Sequence, residues 1–354
     1  MQSVHTRQNN FDFLRQFAAF LVILGHSQSL TGAAHTGLWG HGIATVGVLI
    51  FFGLSGYLVT QSWQREPAYI SFIAKRALRI FPALALCVLL TAFVLGPVLT
   101  NIPLHEYFRN PNTQAYLSNI LLLPRYNLPG VFAANSYPNA VNGSLWSLPV
   151  EFACYLLVAA IAVGQTRIRP LAMAAVCILL YGISLWYSHL YQGPQIILWS
   201  TDLGQATSIM PFFTVGSLLC VLRDKIPLRW PVAAAMALGL TALQHFAPDF
   251  PIDQITWIFV PYMVLTIGWA STPILRRFGR FGDPSYGMYL YAFPVQQTLV
   301  YVSGNGLDYI TLTILTTPIV AVLGLLSWHF LEKPALTLRA RVGISSSRLR
   351  KEQA

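Results

Sequence analysis

The chain has 354 residues, of which 55% are hydrophobic and 10% are charged, whereas soluble domains typically have about 25% charged residues. This composition excludes an ordinary soluble domain and places the chain among membrane proteins. The net charge of +10 does not indicate nucleic-acid binding, because the basic residues lie mainly in short loops between apolar segments, where membrane topology accounts for them.

Ten apolar segments predict ten membrane-spanning helices. Each segment is close to the ~20 residues that cross a hydrocarbon core of ~30 Å. We therefore predict an all-α polytopic membrane protein with about ten transmembrane helices. The segments are residues 11–29, 43–61, 79–99, 145–164, 171–189, 205–222, 230–246, 255–271, 284–303 and 309–331.

The distribution of basic residues orients these helices. In the ten-helix arrangement Arg109 and Arg125 lie on one side, Arg15 lies inside the first segment, and all other Lys and Arg residues lie on the opposite side. Short loops rich in Lys and Arg stay cytosolic, so both termini are predicted to be cytosolic in a multi-pass protein of the cell (inner or plasma) membrane. We predict one transmembrane domain over residues 1–340, a short basic cytosolic tail over 341–354, and no internal repeat.

The first segment carries three polar residues in an otherwise apolar stretch. Arg15 and His26 are eleven residues apart, so on a helix they share a face and lie ~16 Å apart along the axis. Asp12 lies one turn before Arg15 on the same face. Ionisable groups at membrane depth usually face a polar cavity. The alternative is that Arg15 reaches the cytosolic interface and His26 the outer one.

A basic edge precedes the third segment. Lys75, Arg76 and Arg79 are three or four residues apart and share one side of a predicted helix. Guanidinium groups match phosphate oxygens, so this edge is a candidate phosphate site. A simple topology anchor, or a contact with lipid headgroups, explains the same residues equally well. In the preceding segment, Gly53, Ser55 and Gly56 predict close helix packing.

The outer residues 100–144 form the longest break between apolar segments, and we predict an ordered lid near an outer cavity. A helix start follows at Asn142-Gly-Ser-Leu-Trp-Ser-Leu-Pro-Val-Glu151. In this helix Ser147, Glu151 and Tyr155 recur every four residues and form one polar stripe, with Ser147 as a capping residue. Alternatively, Glu151 is only a solvated carboxylate at the interface.

These segments resemble the acyltransferase family 3 membrane proteins, which O-acylate glycans and related acceptors. The resemblance covers nearly the whole chain and rests on six short motifs in the family's order. The motifs are Asn10-Phe-Asp-Phe-Leu-Arg15 with His26, Phe51-Phe-Gly-Leu-Ser-Gly-Tyr57, Arg76-Ala-Leu-Arg79-Ile-Phe-Pro82, Asn142-Gly-Ser-Leu-Trp-Ser-Leu-Pro-Val-Glu151, Ser285-Tyr-Gly-Met-Tyr-Leu-Tyr291 and Phe330-Leu-Glu-Lys-Pro334. The resemblance implies an integral membrane O-acyltransferase.

The resemblance also implies a donor site. It gives the Arg76 and Arg79 edge a role in binding acyl-coenzyme A, with acetyl-coenzyme A as the expected donor, and we place Lys75 in the same site. A cytosolic polyanion matches a basic inner rim, and the long pantetheine arm is narrow enough to enter a helix bundle. Four cysteines in four separate segments predict no metal site.

In the family reading, Arg15 and His26 have catalytic roles. His26 is expected to be the general base, because an imidazole with an ordinary pKa near 6.5 can remove a proton from a hydroxyl. Glu151 would orient that imidazole or bind sugar hydroxyls, and Asp12, Ser147 and Tyr155 would support the site. Arg15 would hold the donor, pair with Asp12, or stabilise charge on the thioester oxygen.

Two departures from the family matter. Many members have a His in the ninth segment where this chain has Ala292, which leaves His26 as the centrally placed candidate base. No SGNH-type esterase domain follows the membrane domain, so we expect the transfer to be completed within it.

Several partners and one rival class remain open at this stage. Besides the lipid bilayer, the expected partner is a glycan, a lipid-linked oligosaccharide, a small secondary metabolite or another hydroxyl acceptor. The rival is a ten-helix transporter or flippase without covalent chemistry. Transporters often show internal repeats and broken helices, and neither is evident in the sequence.

Overall fold

The structure, a computed structural model, describes residues 9–163 and 168–341. This part is helical apart from two hairpins, β1 (Gly37–Leu38) with β2 (His41–Gly42) and β3 (Ile197–Leu198) with β4 (Thr201–Asp202). The helices are α1 (Phe11–Thr31), α2 (Ile43–Arg65), α3 (Tyr69–Leu90), α4 (Gly96–Leu99), α5 (Leu104–Arg109), α6 (Pro111–Tyr116), α7 (Ser147–Ile161), α8 (Pro170–His189), α9 (Leu203–Val221), α10 (Trp230–Phe246), α11 (Thr256–Trp269), α12 (Ser285–Val302), α13 (Tyr309–Ser327) and α14 (Lys333–Arg341). Both termini, with residues 342–354 of the predicted tail, lie outside the described residues.

A helix lies at each of the ten predicted segments. In the described chain, six helical stretches are long and apolar enough to cross a membrane. They are Ile43–Arg65, Tyr69–Leu99, Gly143–Ile161, Pro170–His189, Leu203–Val221 and Tyr309–Thr337. The prediction of an all-α membrane protein is therefore confirmed, while the ten crossings and the cytosolic termini stay predictions.

The third helix begins earlier than predicted. α3 starts at Tyr69, and Lys75 and Arg76 therefore lie inside the helix and not in a loop before it. Beyond Leu90 the helix continues through a π-helical turn into α4. The buried hydroxyl of Tyr107 donates a hydrogen bond to the Ala92 carbonyl in this turn, at 2.8 Å. The basic edge is consequently held on a rigid element.

A helix, hairpin and helix unit occurs twice, which corrects the prediction of no internal repeat. The first copy is α1, β1–β2 and α2; the second is α8, β3–β4 and α9, with α2 and α9 beginning 160 positions apart, at Ile43 and Leu203. Each hairpin turns at a tryptophan with positive φ, Trp39 in the first copy and Trp199 in the second. Positive φ at the central positions is typical of type I′ hairpin turns.

The two copies meet where α2 crosses α9. A Cβ on Gly56 would overlap with the Phe213 carbonyl, and a Cβ on Gly216 would overlap with the Gly53 carbonyl. Adding 160 to Gly56 and Gly53 gives Gly216 and Phe213, so each contact is the counterpart of the other, as for contacts across a two-fold axis. Small residues let helix backbones approach in this way, so the predicted close packing at Gly56 is confirmed.

The residues between α4 and α7, predicted to lie on the outer side, are ordered and hydrogen-bonded to α12. The amide of Asn135 donates to the main-chain carbonyl of Gln297 at 2.9 Å and to its side-chain oxygen at 2.7 Å. The amide of Asn142 donates to the Leu290 carbonyl at 3.0 Å. The expectation that this segment is ordered is confirmed, and its role as a lid stays a prediction.

The orientation can be tested with single cysteines, because the four native thiols in the described chain are buried. Ala133 in the outer segment and Ser271 after α11 are both exposed. In intact cells, an impermeant maleimide should label Ala133→Cys, whereas Ser271→Cys should react only after permeabilisation, because its loop is cytosolic under the positive-inside rule. The reverse labelling pattern would overturn the orientation.

Candidate active site

A polar cavity lies between α1, α2, α3, α7 and α12. Its empty volume, counted to the mouth and including open solvent, is about 750 Å³. The polar lining consists of Arg15, Ser55, Arg76, Arg79, Ser147, Glu151, Tyr155, Ser285, Tyr286 and Tyr289. The two sequence-predicted arginine sites and the polar stripe of α7 are therefore brought together in one place.

Arg79 is the centre of an ionic junction. Its guanidinium donates to Asp283 at 2.8 Å and to Glu332 at 2.5 Å, and Glu332 is fully buried. The aromatic rings of Tyr286 and Trp328 lie 5.6 and 5.4 Å from the guanidinium carbon. Arg79 is thus saturated by protein groups, and it joins α3 to the start of α12 and to the π-helical turn after α13.

Asp283 is shared between two arginines. Arg15 lies 3.3 Å from Asp283 and 3.3 Å from Asp12, and the Ser285 hydroxyl donates to Asp283 at 2.5 Å. Burial disfavours the charged form, but Arg79, Arg15 and the Ser285 hydrogen bonds outweigh it and lower the pKa of Asp283 to about 2. This carboxylate, in the loop before α12, therefore stays ionised throughout the physiological pH range. Asp12 contacts Arg15, and its supporting role in the site stays a prediction.

Glu151 projects from α7 into the cavity. One carboxylate oxygen accepts hydrogen bonds from the Tyr155 hydroxyl and from Ser55 of α2, the latter at 3.2 Å. The stripe of Glu151 and Tyr155 expected from the four-residue spacing is therefore present. Ser55 has a polar role beyond the helix packing predicted for its segment.

Arg76 differs from Arg79 in having no carboxylate partner within salt-bridge distance among the described residues. Its guanidinium lies 5.7 Å from the centre of the Tyr155 ring, and its Nε is buried without a hydrogen-bond partner in the described chain. Leaving a buried donor unpaired costs about 1–3 kcal/mol. This cation is therefore available to an anionic ligand in the cavity.

Ser147 has a different role from the predicted cap. The Tyr289 hydroxyl donates to the Ser144 carbonyl at 2.5 Å, so Ser147, at 2.6 Å, is the donor to Tyr289. The capping oxygen before this turn belongs to Asn142, which accepts from the Ser144 N–H at 3.2 Å. Ser147 thus positions Tyr289 in the cavity wall.

His26 does not line the cavity. Its ring is partly buried and lies 5.1 Å from the ring of Phe293, one helical turn beyond Tyr289 on α12. Its Nδ1 is buried and has no hydrogen-bond partner in the described residues. Nearby, Gln296 ties α12 to α1 through the Ile23 carbonyl and Ser27, at 2.8 and 2.7 Å. The catalytic role of His26 stays a prediction.

Lys75 is also separate from the cavity. Its ammonium lies 2.5 Å from Glu66, which in turn accepts a hydrogen bond from Ser71 at 2.5 Å. The carboxylate offsets the charge of this lysine, so the pair attracts a donor phosphate only weakly. In this structure the three basic residues of the predicted edge therefore fall into three different environments.

Sequence reasoning missed most of the acidic half of the site. Asp283 and Glu332 lie more than 200 positions from Arg79, and no local spacing predicts such a pair. The Ser285 to Tyr291 motif was a usable signal, because Ser285, Tyr286 and Tyr289 line the cavity. In the described chain no group of three or more His, Cys, Asp or Glu residues is placed to hold a metal ion.

A polar cavity lined by three arginines and one glutamate inside an all-α membrane bundle is suited to an enzyme that acts on a polar or charged substrate. Residues 8–329 match the family model described as an acyltransferase domain, and the chain belongs to this family. The protein is a membrane acyltransferase.

Two relatives extend the comparison. The chain is 31% identical over 335 residues to the O-acetyl transferase of Shigella phage Sf6, covering 94% of this chain and 97% of the relative. It is 28% identical over 363 residues to Nodulation protein 10 of Rhizobium leguminosarum bv. viciae, covering 94% of each. No solved structure matches the chain.

The junction predicts that Arg79 and Arg76 are not equivalent. Arg79→Ala leaves Glu332 without a cationic partner among the described residues and leaves Asp283 with Arg15 alone, so it should destabilise the protein by about 3–5 kcal/mol, whereas Arg76→Ala should unfold near the wild-type temperature. Thermal unfolding in detergent measures the difference.

A double variant supplies the control. Arg79→Ala with Glu332→Gln removes one stranded charge, so it should recover part of the lost stability. Equal melting temperatures for Arg79→Ala and the wild type would contradict the structural role of the junction.

Proposed function

We propose that this protein transfers an acetyl group from cytosolic acetyl-coenzyme A to a hydroxyl of a glycan or related cell-surface acceptor. It would do so as a ten-helix protein of the cell membrane with both termini cytosolic. The observation that carries the proposal is Arg76, a partly buried cation that lines the cavity and has no carboxylate within salt-bridge distance in the described chain. The O-acetyl transferase relative supports the acetyl group.

The donor site follows from the charges around Arg76. Arg79 and Arg15 are neutralised by carboxylates, and Lys75 is paired with Glu66. Arg76 is left to bind a donor phosphate through charge-assisted hydrogen bonds, which a guanidinium forms well. On this proposal the acyl arm extends from the cavity outward along α12.

The chemistry requires a base beyond the cavity. His26 lies ~16 Å from Arg15 along α1, a separation that a long acyl arm can span. As the acceptor oxygen attacks the thioester carbonyl, His26 would take the hydroxyl proton; the carbon–sulfur bond would then break, and the sulfur would receive that proton so that coenzyme A leaves as the free thiol. Glu151, held by Tyr155 and Ser55, would position the acceptor or the arm.

The repeated helix, hairpin and helix unit bears on the rival class. Internal repeats are typical of many transporters, so the fold alone does not separate an enzyme from a carrier. Family membership favours covalent chemistry. Release of free coenzyme A from acetyl-coenzyme A by the purified protein would distinguish the enzyme from a pure carrier. A small secondary metabolite remains the alternative acceptor.

Arg76→Ala should raise the KM for acetyl-coenzyme A about tenfold or more, because one charge-assisted phosphate contact is worth ~1.5–3 kcal/mol. Arg76→Lys should recover part of the loss, and Lys75→Ala is the matched control with a much smaller expected change. Steady-state release of coenzyme A measures all three. An unchanged KM for Arg76→Ala would remove Arg76 from the donor site.

His26→Ala should abolish acetyl transfer while coenzyme A still binds, because a general base contributes to the transition state more than to donor affinity. His26→Gln keeps hydrogen bonding but cannot accept the proton, and should be nearly as inactive. Turnover should be measured beside equilibrium binding of coenzyme A. Near wild-type turnover of His26→Gln would exclude His26 as the base.

A further inference from the structure

A second cavity lies in the other copy of the repeated unit, between α8, α9, α10 and α11. Its empty volume, counted to the mouth, is about 1330 Å³. On α9 its wall is formed by Val215, Leu218 and Leu219. These residues are 160 positions after Ser55, Leu58 and Val59, which line the polar cavity on α2.

The surrounding helices correspond as well. α3 and α10, which follow the two copies, begin 161 positions apart, at Tyr69 and Trp230. α7 packs against α2, α9 and α3, and α11 packs against α9, α2 and α10. The part of the polar cavity between α1, α2, α3 and α7 therefore has its pseudo-two-fold counterpart in the cavity between α8, α9, α10 and α11, whereas α12, which also lines the polar cavity, lies outside the repeated unit.

The counterpart has lost the charges of the catalytic copy. α8 contains no Asp, Glu, Lys or Arg, whereas α1 carries Asp12 and Arg15. The lining is apolar, with Cys177, Met236 and Trp257 among its members, and Arg229 is its charged residue. Such a cavity cannot perform ionic chemistry, but it can hold a hydrocarbon chain.

A hydrogen bond of its main-chain N–H holds Arg229 at the mouth. Its N–H donates to the Tyr262 hydroxyl at 3.0 Å, and that hydroxyl donates to the Pro227 carbonyl at 2.9 Å. The same loop carries Arg223 and Lys225, both exposed, against Asp224. The mouth is therefore positively charged, and the backbone of its loop is held by Tyr262, which lines the cavity.

We propose that this cavity binds one anionic phospholipid of the cytosolic leaflet. Its phosphate would contact Arg229, and an acyl chain would lie among α8, α9, α10 and α11. Charge complementarity at the mouth selects an anionic headgroup, since a basic loop at the cytosolic surface attracts such lipids. The proposal rests on the cytosolic placement of this loop in the proposed function.

The test is lipid binding to the full chain, purified in non-ionic detergent and titrated with phosphatidylglycerol or phosphatidylethanolamine in native mass spectrometry. Phosphatidylglycerol should bind about tenfold more tightly, because the ammonium group of phosphatidylethanolamine offsets the negative charge of its phosphate at the basic mouth. Arg229→Gln should lower its affinity to that of phosphatidylethanolamine, and Arg229→Lys should restore part of it. Arg223→Gln removes the same charge from the same loop and should change the affinity less than about twofold.

A second pair of variants tests the acyl-chain site. Met236→Trp fills the cavity and should abolish the binding of both lipids, whereas Leu238→Trp, on the exposed side of α10, should not. Equal effects of Arg229→Gln and Arg223→Gln, or of the two Trp variants, would overturn the proposal. Displacement of the lipid by coenzyme A would also overturn it and assign the cavity to the donor. Because lipid retention is measured without acyl transfer, its failure is distinguishable from failure of the proposed acetyl transfer.

Discussion

The ionic junction of Arg79 with Asp283 and Glu332 is the constraint on which the rest of the site depends. Two carboxylates removed from water are costly unless they are paired and hydrogen-bonded, and here both are held by one guanidinium. The junction connects α3, the loop before α12 and the turn after α13. Because α3 and α12 both line the polar cavity, the position of that wall depends on the junction.

Neutralisation of Arg79 gives the neighbouring arginine a distinct role. Arg76 lies on the same helix only three residues away, yet it lacks a carboxylate partner in the described chain and faces the cavity. This Arg-x-x-Arg edge therefore contains one arginine with a structural role, Arg79, and one that is available to bind a ligand, Arg76. On the proposed function, the first holds the cavity open to the donor and the second binds it.

Much of the architecture could be predicted from the sequence, because apolar periodicity and length report directly on membrane helices. Spacing and family motifs also singled out Arg15, Arg76, Arg79 and Glu151, although they did not predict that all four line one cavity. The partners of Arg79 were not, since they are distant in the chain. The repeat was hidden because its second copy kept the backbone features, the hairpin turns and the α2–α9 crossing, while losing the charged side chains.

The central claim is acetyl transfer to a hydroxyl acceptor, and intact-mass analysis of the surface glycan tests it most directly. Glycan from cells that lack the gene should be compared with glycan from cells complemented by the wild type or by His26→Ala. The account predicts that the wild type alone restores a mass increase of one or more acetyl groups. Identical glycan masses in all three strains would contradict a glycan acceptor, and an increase of another acyl mass would contradict acetyl-coenzyme A as the donor.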